Sequence, residues 1–168
     1  MEGERAGGPS DTSPTILVVD DELSIVKLCT ALLAGAGFHV LEAEGSSEAL
    51  KICAQHEGPI DLLLTDLVLP PPDFQLSSAS NQFPHVNGHQ LAIRAATIRN
   101  GLRIILMSGN PDKELASHGI TRGTLPFLAK PFGKDELVTL VREVLAQPAS
   151  TLNLVEKGNA ANDVDWFG

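Results

Sequence analysis

The chain has 168 residues, 43% of them apolar and 20% charged, with a formal net charge of −9. That is room for one domain that buries a sizeable core without disulfides, and no apolar run nears the roughly 20 residues of a membrane helix. Twenty-one acids against twelve bases argue against a nucleic-acid phosphate footprint, which would need clustered Lys/Arg.

Residues 1–14 are Gly, Ser, Pro and acid, which predicts a disordered head with no secretory h-region. From Thr15 to about Ala146, apolar runs alternate with amphipathic stretches. Ile16-Leu17-Val18-Val19 is continuously apolar, as a parallel strand buried on both faces must be. Ile25, Leu28, Leu32 and Leu33 then mark one helical face, closed by Gly35 and Gly37. His39–Ala43 reads as an edge strand, and Ser46-Ser47-Glu48 opens a helix carrying Ala49, Leu50 and Cys53. A second buried strand is Leu62-Leu63-Leu64. A third helix follows on Leu91, Ala95 and Ile98, and a third buried strand on Ile104-Ile105-Leu106-Met107. Lys113–His118 has room for one or two helical turns, and Pro126–Ala129 suits an edge strand that begins at a proline. Leu137, Leu140, Val141, Val144 and Leu145 define the last helix, with Asp135 and Glu136 at its positive end. Five strand–helix units predict an α/β fold with a doubly wound, five-stranded parallel sheet and helices on both faces. Cys29 and Cys53 fall in apolar periodic stretches, as reduced core thiols of a cytoplasmic protein do.

In such a sheet, chemistry gathers at the carboxyl ends of the strands. The strands end in Asp20-Asp21-Glu22, Thr65-Asp66, Ser108-Gly109 and Lys130-Pro131. Taken alone, Asp20-Asp21 is equally a solvated helix cap and Lys130 a surface lysine. Together they make a constellation. Crowded carboxylates repel, and a hard divalent cation such as Mg2+ relieves the repulsion. A lysine and a hydroxyl donor then suit the oxygens of a transferring phosphoryl group. Asp66, standing alone on the central strand, is the candidate nucleophile for an aspartyl phosphate. The five histidines show no metal-ligand spacing.

The order Val19-Asp20-Asp21-Glu22, Thr65-Asp66-Leu67-Val68-Leu69-Pro70, Val86-Asn87-Gly88, Met107-Ser108-Gly109 and Lys130-Pro131-Phe132 resembles the response-regulator receiver domain over about residues 15–146. The resemblance implies a flavodoxin-like sheet of order 2-1-3-4-5. It implies phosphorylation of Asp66 by a sensor histidine kinase or a histidine phosphotransfer protein, with signalling onward to a downstream protein partner; the acid excess and the lack of a membrane-length apolar run argue against nucleic acid and membrane as partners. It also implies Mg2+ held by Asp21 directly, by Asp20 mostly through water, by Asp66 and by the main-chain carbonyl of Val68. Lys130 would pair with the phosphoryl group, Ser108 would hydrogen-bond it and move inward, Phe127 would be the rotating switch aromatic, and Lys130-Pro131 would stand at the family's cis peptide. Val68 and Asn110 stand where the family tunes dephosphorylation, and an apolar Val68 cannot orient water, so the phosphoryl group is expected to be long-lived.

The chain departs from the pattern in three places. Residues 71–85 insert between Pro70 and Asn87-Gly88, either as a tolerated surface loop or as a docking lid built on Phe74, Leu76 and Phe83. The fourth helix is short, which puts the family's usual dimer face in question. The tail, 147–168, is too short for a helix-turn-helix domain, and its Val164-Asp165-Trp166-Phe167 reads either as a docking peptide or as a tail packed on its own domain. Two rival functions remain. A phosphatase with an aspartyl-phosphate intermediate wants a second acid two residues after the nucleophile, where Val68 stands. A receiver-like interaction module would work without phosphorylation.

Overall fold

The computed structural model describes residues 13–69, 86–117 and 125–147. The expectations for the head before residue 13, for the 71–85 insert, for His85 and His118 and for the tail after residue 147 lie outside them. Ten elements alternate: β1 (Thr15–Val19), α1 (Leu23–Gly35), β2 (His39–Ala43), α2 (Ser46–Gln55), β3 (Leu62–Asp66), α3 (Gly88–Ile98), β4 (Arg103–Ser108), α4 (Pro111–Ser117), β5 (Phe127–Ala129) and α5 (Lys134–Ala146). The five strands form one parallel sheet of order β2-β1-β3-β4-β5, as the alternation and the resemblance predict.

The apolar runs are continuous because successive side chains enter two different cores. Ile16, Val18, Leu62, Leu64, Ile105 and Met107 pack under α1 and α5, around Val26, Cys29, Leu33, Leu137 and Val141. Leu17, Val19, Leu63, Ile104 and Leu106 face the other way, against Leu50, Cys53, Leu91, Ala95 and Leu115 of α2, α3 and α4. Both cysteines are free and buried, and burial pushes their thiols up to about 12 for Cys29 and about 11 for Cys53, so both stay protonated and inert. The two edge strands are less buried, as their sequences foretell. Pro126 stands just before β5, where its missing N–H costs nothing and its carbonyl still accepts from Leu106 N at 3.0 Å.

Two helix faces differ from the sequence reading. On α1 the buried positions are Val26, Cys29 and Leu33, with Ile25 and Leu32 partly covered, while Leu28 is 42% exposed. On α3, Leu91, Ala92 and Ala95 are buried and Ile98 is 41% exposed. Apolar identity alone cannot say which neighbour a helix turns toward; the sheet does. The turn after α2 hangs on Arg99, which donates to the carbonyls of Cys53 and Gly58 at 2.8 and 2.6 Å and to that of His56. The long β3–α3 connection returns through Val86, whose N–H donates to the buried Ser46 Oγ at 2.8 Å.

The two faces of α1 separate in a stability measurement. Leu33→Ala is expected to cost about 2–5 kcal/mol in urea denaturation, and Leu28→Ala within about 0.5 kcal/mol of nothing. Equal losses would place Leu28 in the core.

Candidate functional site

Four strand ends meet at one edge of the sheet, and the register explains why. β1 pairs with β3, β3 with β4 and β4 with β5, so Val19 lies opposite Thr65, Asp66 opposite Met107 and Ser108 opposite Ala129. Asp20, Asp66, Ser108 and Lys130 therefore emerge from four neighbouring strands at nearly one level. Asp20 has no exposure and Asp66 only 8%. Buried carboxylates need partners. Asp20 Oδ1 accepts from the Glu22 N–H at 2.9 Å, at the start of α1, and its Oδ2 lies 2.7 Å from Lys130 Nζ. Asp66 Oδ2 is 3.4 Å from the same ammonium, and its Oδ1 accepts from the Val68 N–H at 3.4 Å. Asp21 lies beside them, exposed.

The electrostatics follow from three acids facing one base. Burial, then the neighbouring Asp20 charge, pushes Asp66 up to about 6, against the pull of Lys130. Burial and Asp20 also raise Asp21. Burial works to lower Lys130, but its hydrogen bond to Asp20 and the two nearby carboxylates outweigh that and hold it above the usual lysine value. Oxygens of Asp20, Asp21 and Asp66 all lie within 4.8 Å of one another. The donors are all hard carboxylate oxygens, partly buried, with one positive charge against three negative. This set fits a small divalent cation such as Mg2+. The Val68 side chain, 37% exposed, stands at the rim.

Ser108 ends β4 with no exposure. Its hydroxyl donates to Glu114 Oε1 of α4 and accepts from the Asn110 N–H at 3.0 Å. Its carbonyl accepts from the Lys130 N–H at 2.8 Å, tying the two strand ends together. Lys130-Pro131 is a cis peptide. Phe127, three residues before Lys130 on β5, is half-buried and packs against the α2–α3–α4 core.

Two features of the site escape the sequence reading. Glu114 gave no signal, since an acid six residues after a serine is ordinary on a helix. Gly88 stood in a quoted motif without a role. It opens α3 directly over the end of β3, where its N–H donates to the Leu67 carbonyl at 2.9 Å. A Cβ there would lie 2.0 Å from the Asp66 carbonyl oxygen and 2.8 Å from Leu67 Cα, so no larger residue lets α3 approach the strand. Asn87 caps this helix, accepting from the Gln90 N–H at 2.8 Å while Gln90 reaches back at 3.4 Å.

Comparison with known proteins gives concordant findings. The family model described as "Response regulator receiver domain" matches residues 16–73. The DNA-binding transcriptional regulator NtrC of Azospirillum brasilense is 34% identical over 134 residues, which cover 80% of this chain and 24% of that protein. Sensor kinase CckA of Brucella abortus (strain 2308) is 28% identical over 133 residues, covering 79% of this chain and 13% of the kinase. The chain thus spans about a quarter or less of the length of the curated relatives it matches. Among solved structures, the response regulator receiver protein from Sinorhizobium medicae WSM419 superposes with a TM-score of 0.64 at 28% identity, over 82% of this chain and 98% of that one.

The raised Asp66 carboxyl sets a direction for stability. Its folded value lies above its unfolded one, so the folded state holds the proton longer and the metal-free protein loses stability as pH rises from about 4 through about 6. Asp66→Asn is therefore expected to stabilise the metal-free protein by about 1–3 kcal/mol near neutral pH, and by a small fraction of that near pH 4. Urea melts in EDTA at both pH values check this. A gain independent of pH would contradict it.

Proposed function

Because the chain belongs to the response-regulator receiver family, we propose that it takes a phosphoryl group from a phosphohistidine onto Asp66. The observation that carries this reading is the meeting of Asp20, Asp21, Asp66 and Lys130 at one sheet edge. A carboxylate oxygen of Asp66 attacks phosphorus, the phosphorus–nitrogen bond breaks, and its electron pair leaves with the imidazole. Asp20, Asp21, Asp66 and the main-chain carbonyl of Val68 would hold Mg2+. When bound, Mg2+ supplies positive charge that offsets the crowded carboxylates and the phosphoryl oxygens. Lys130, already 3.4 Å from Asp66, pairs with a phosphoryl oxygen. Ser108 donates its hydroxyl to another. In a separate hydrolytic step, water attacks phosphorus, the bond to the Asp66 oxygen breaks, and inorganic phosphate leaves with the carboxylate restored.

Phosphorylation then shifts an equilibrium between two conformers, with Ser108 and Phe127 as the moving parts. On this reading residues 15–146 are the receiver unit, flanked by a head, interrupted by the 71–85 segment and followed by a tail. Its partners are a sensor histidine kinase or histidine phosphotransfer protein and a downstream protein. The two buried, unpaired cysteines support a cytoplasmic setting.

Incubation with acetyl phosphate and Mg2+, read by intact mass, tests the reading. A single phosphoryl adduct is expected, abolished by EDTA and by Asp66→Ala. No adduct on wild type, nor on a variant with residues 71–85 shortened, would favour an interaction module that works unphosphorylated. The lifetime is a separate expectation. Val68 offers the attacking water no hydrogen-bonding side chain, so the adduct of the isolated protein should persist for minutes or longer after donor removal. Val68→Asn or Val68→Glu should shorten it, and decay of wild type within seconds would contradict the role of Val68.

A further inference from the structure

The hydroxyl of Ser108 has one hydrogen to donate. In this structure that hydrogen goes to Glu114 Oε1 on α4. The oxygen of the same hydroxyl is taken up by the Asn110 N–H at 3.0 Å. Ser108 has no exposure, so water cannot stand in for either partner. Glu114 is itself held in place through the chain, its N–H donating to the Asn110 carbonyl at 2.9 Å. The segment Ser108–Glu114 thus closes on itself, with the serine hydroxyl committed to a carboxylate on the α4 side. A hydroxyl already donating to that carboxylate cannot donate to a phosphoryl oxygen on Asp66.

We propose that Glu114 is a positioning residue that holds the Ser108 hydroxyl in the unphosphorylated conformer, and that phosphorylation proceeds by exchange of this one hydrogen bond from the Glu114 carboxylate to a phosphoryl oxygen. The proposal rests on Asp66 being the phosphoryl acceptor. Its energetics are those of a competition between two anions for one donor. Hydrogen bonds to charged acceptors are the strong ones, so Glu114 sets a threshold that the phosphoryl group must exceed. Removing the carboxylate takes away the charged acceptor that holds the Ser108 hydroxyl in the unphosphorylated conformer, which disfavours that conformer relative to the phosphorylated one. The equilibrium therefore moves toward the activated side. The exchange also reaches beyond the site. Once Ser108 turns inward, Glu114 keeps its main-chain bond to Asn110, but its carboxylate loses this contact to the end of β4.

Beryllofluoride with Mg2+ serves as the probe, a non-transferable phosphoryl mimic whose affinity is read by calorimetry on the full chain. Glu114→Ala is expected to bind it about tenfold more tightly than wild type, the size of one charge-assisted hydrogen bond. Glu114→Gln keeps an acceptor without the charge and should fall between. In the Ser108→Ala background, Glu114→Ala should change the affinity by less than about twofold, since the two residues then have nothing to exchange. Unchanged or weaker binding in the Ser108 background would overturn the proposal. So would an equal gain in the Ser108→Ala background, which would mean that Glu114 acts through some other contact.

A second readout needs neither metal nor phosphoryl mimic. In the metal-free protein, Glu114→Ala should move the amide resonance of Asn110, whose N–H sits on the Ser108 hydroxyl. The same substitution should leave that resonance in place when Ser108 is alanine, and a move of equal size there would overturn the proposal. The two readings fail separately. Beryllofluoride binding indifferent to Asp66→Ala would contradict Asp66 as acceptor, while the metal-free amide measurement would still decide whether Glu114 holds Ser108.

Discussion

The site depends on one ammonium group shared between two buried carboxylates. Lys130 Nζ stands 2.7 Å from Asp20 and 3.4 Å from Asp66, and Asp20 has no solvent of its own. A buried carboxylate without such a partner would carry a heavy desolvation cost. With one cationic partner among the described residues for three acids, the group stays overcharged, and burial together with the Asp20 charge pushes Asp66 and Asp21 up. That residual excess of negative charge is what makes the donor set fit a small divalent cation. The same lysine is tied through its own N–H to the Ser108 carbonyl, so the base and the hydroxyl are positioned by one backbone contact.

The fold exists to hold these groups level. A parallel sheet brings all its carboxyl ends to one edge, which no hairpin arrangement does. Its strands are buried on both sides, and the two cores that clamp it are built from alternating residues of the same short runs. Rigidity of that sheet fixes Asp66 between its neighbours. Gly88 allows α3 to sit directly on the Asp66 carbonyl, so Asp66 is held by α3 as well as by its neighbouring strands.

In the proposed exchange, the hydroxyl of Ser108 is the part that moves against this frame. Ser108 pairs through its backbone with β5, while its hydroxyl reaches the short helix Pro111–Ser117. A single hydrogen bond can change partner there without disturbing either core. The family relationship accounts for the acidic pocket, the lysine and the serine.

Most of the fold was legible in the sequence, because two-faced burial leaves a continuous apolar run and helices leave a periodic one. The site was legible for the same reason: strand ends can be located, and polar residues that follow apolar runs stand out. Asp20, Asp66 and Lys130 could be placed together before any coordinate was known, since parallel strands bring their ends to one edge. Three things waited for the tertiary structure. Leu28 and Ile98 look like core residues, but helix rotation is set by the sheet beneath, and they face outward. The need for glycine at Gly88 arises from a backbone 21 to 22 residues earlier in the chain, at Asp66 and Leu67. The partner of Ser108 depends on where α4 sits, and α4 has too few residues to announce its own orientation. Local pattern determines elements and their ends. Which side chains meet across those ends is decided by packing, because the contacts join residues whose sequence separation carries no periodic signal.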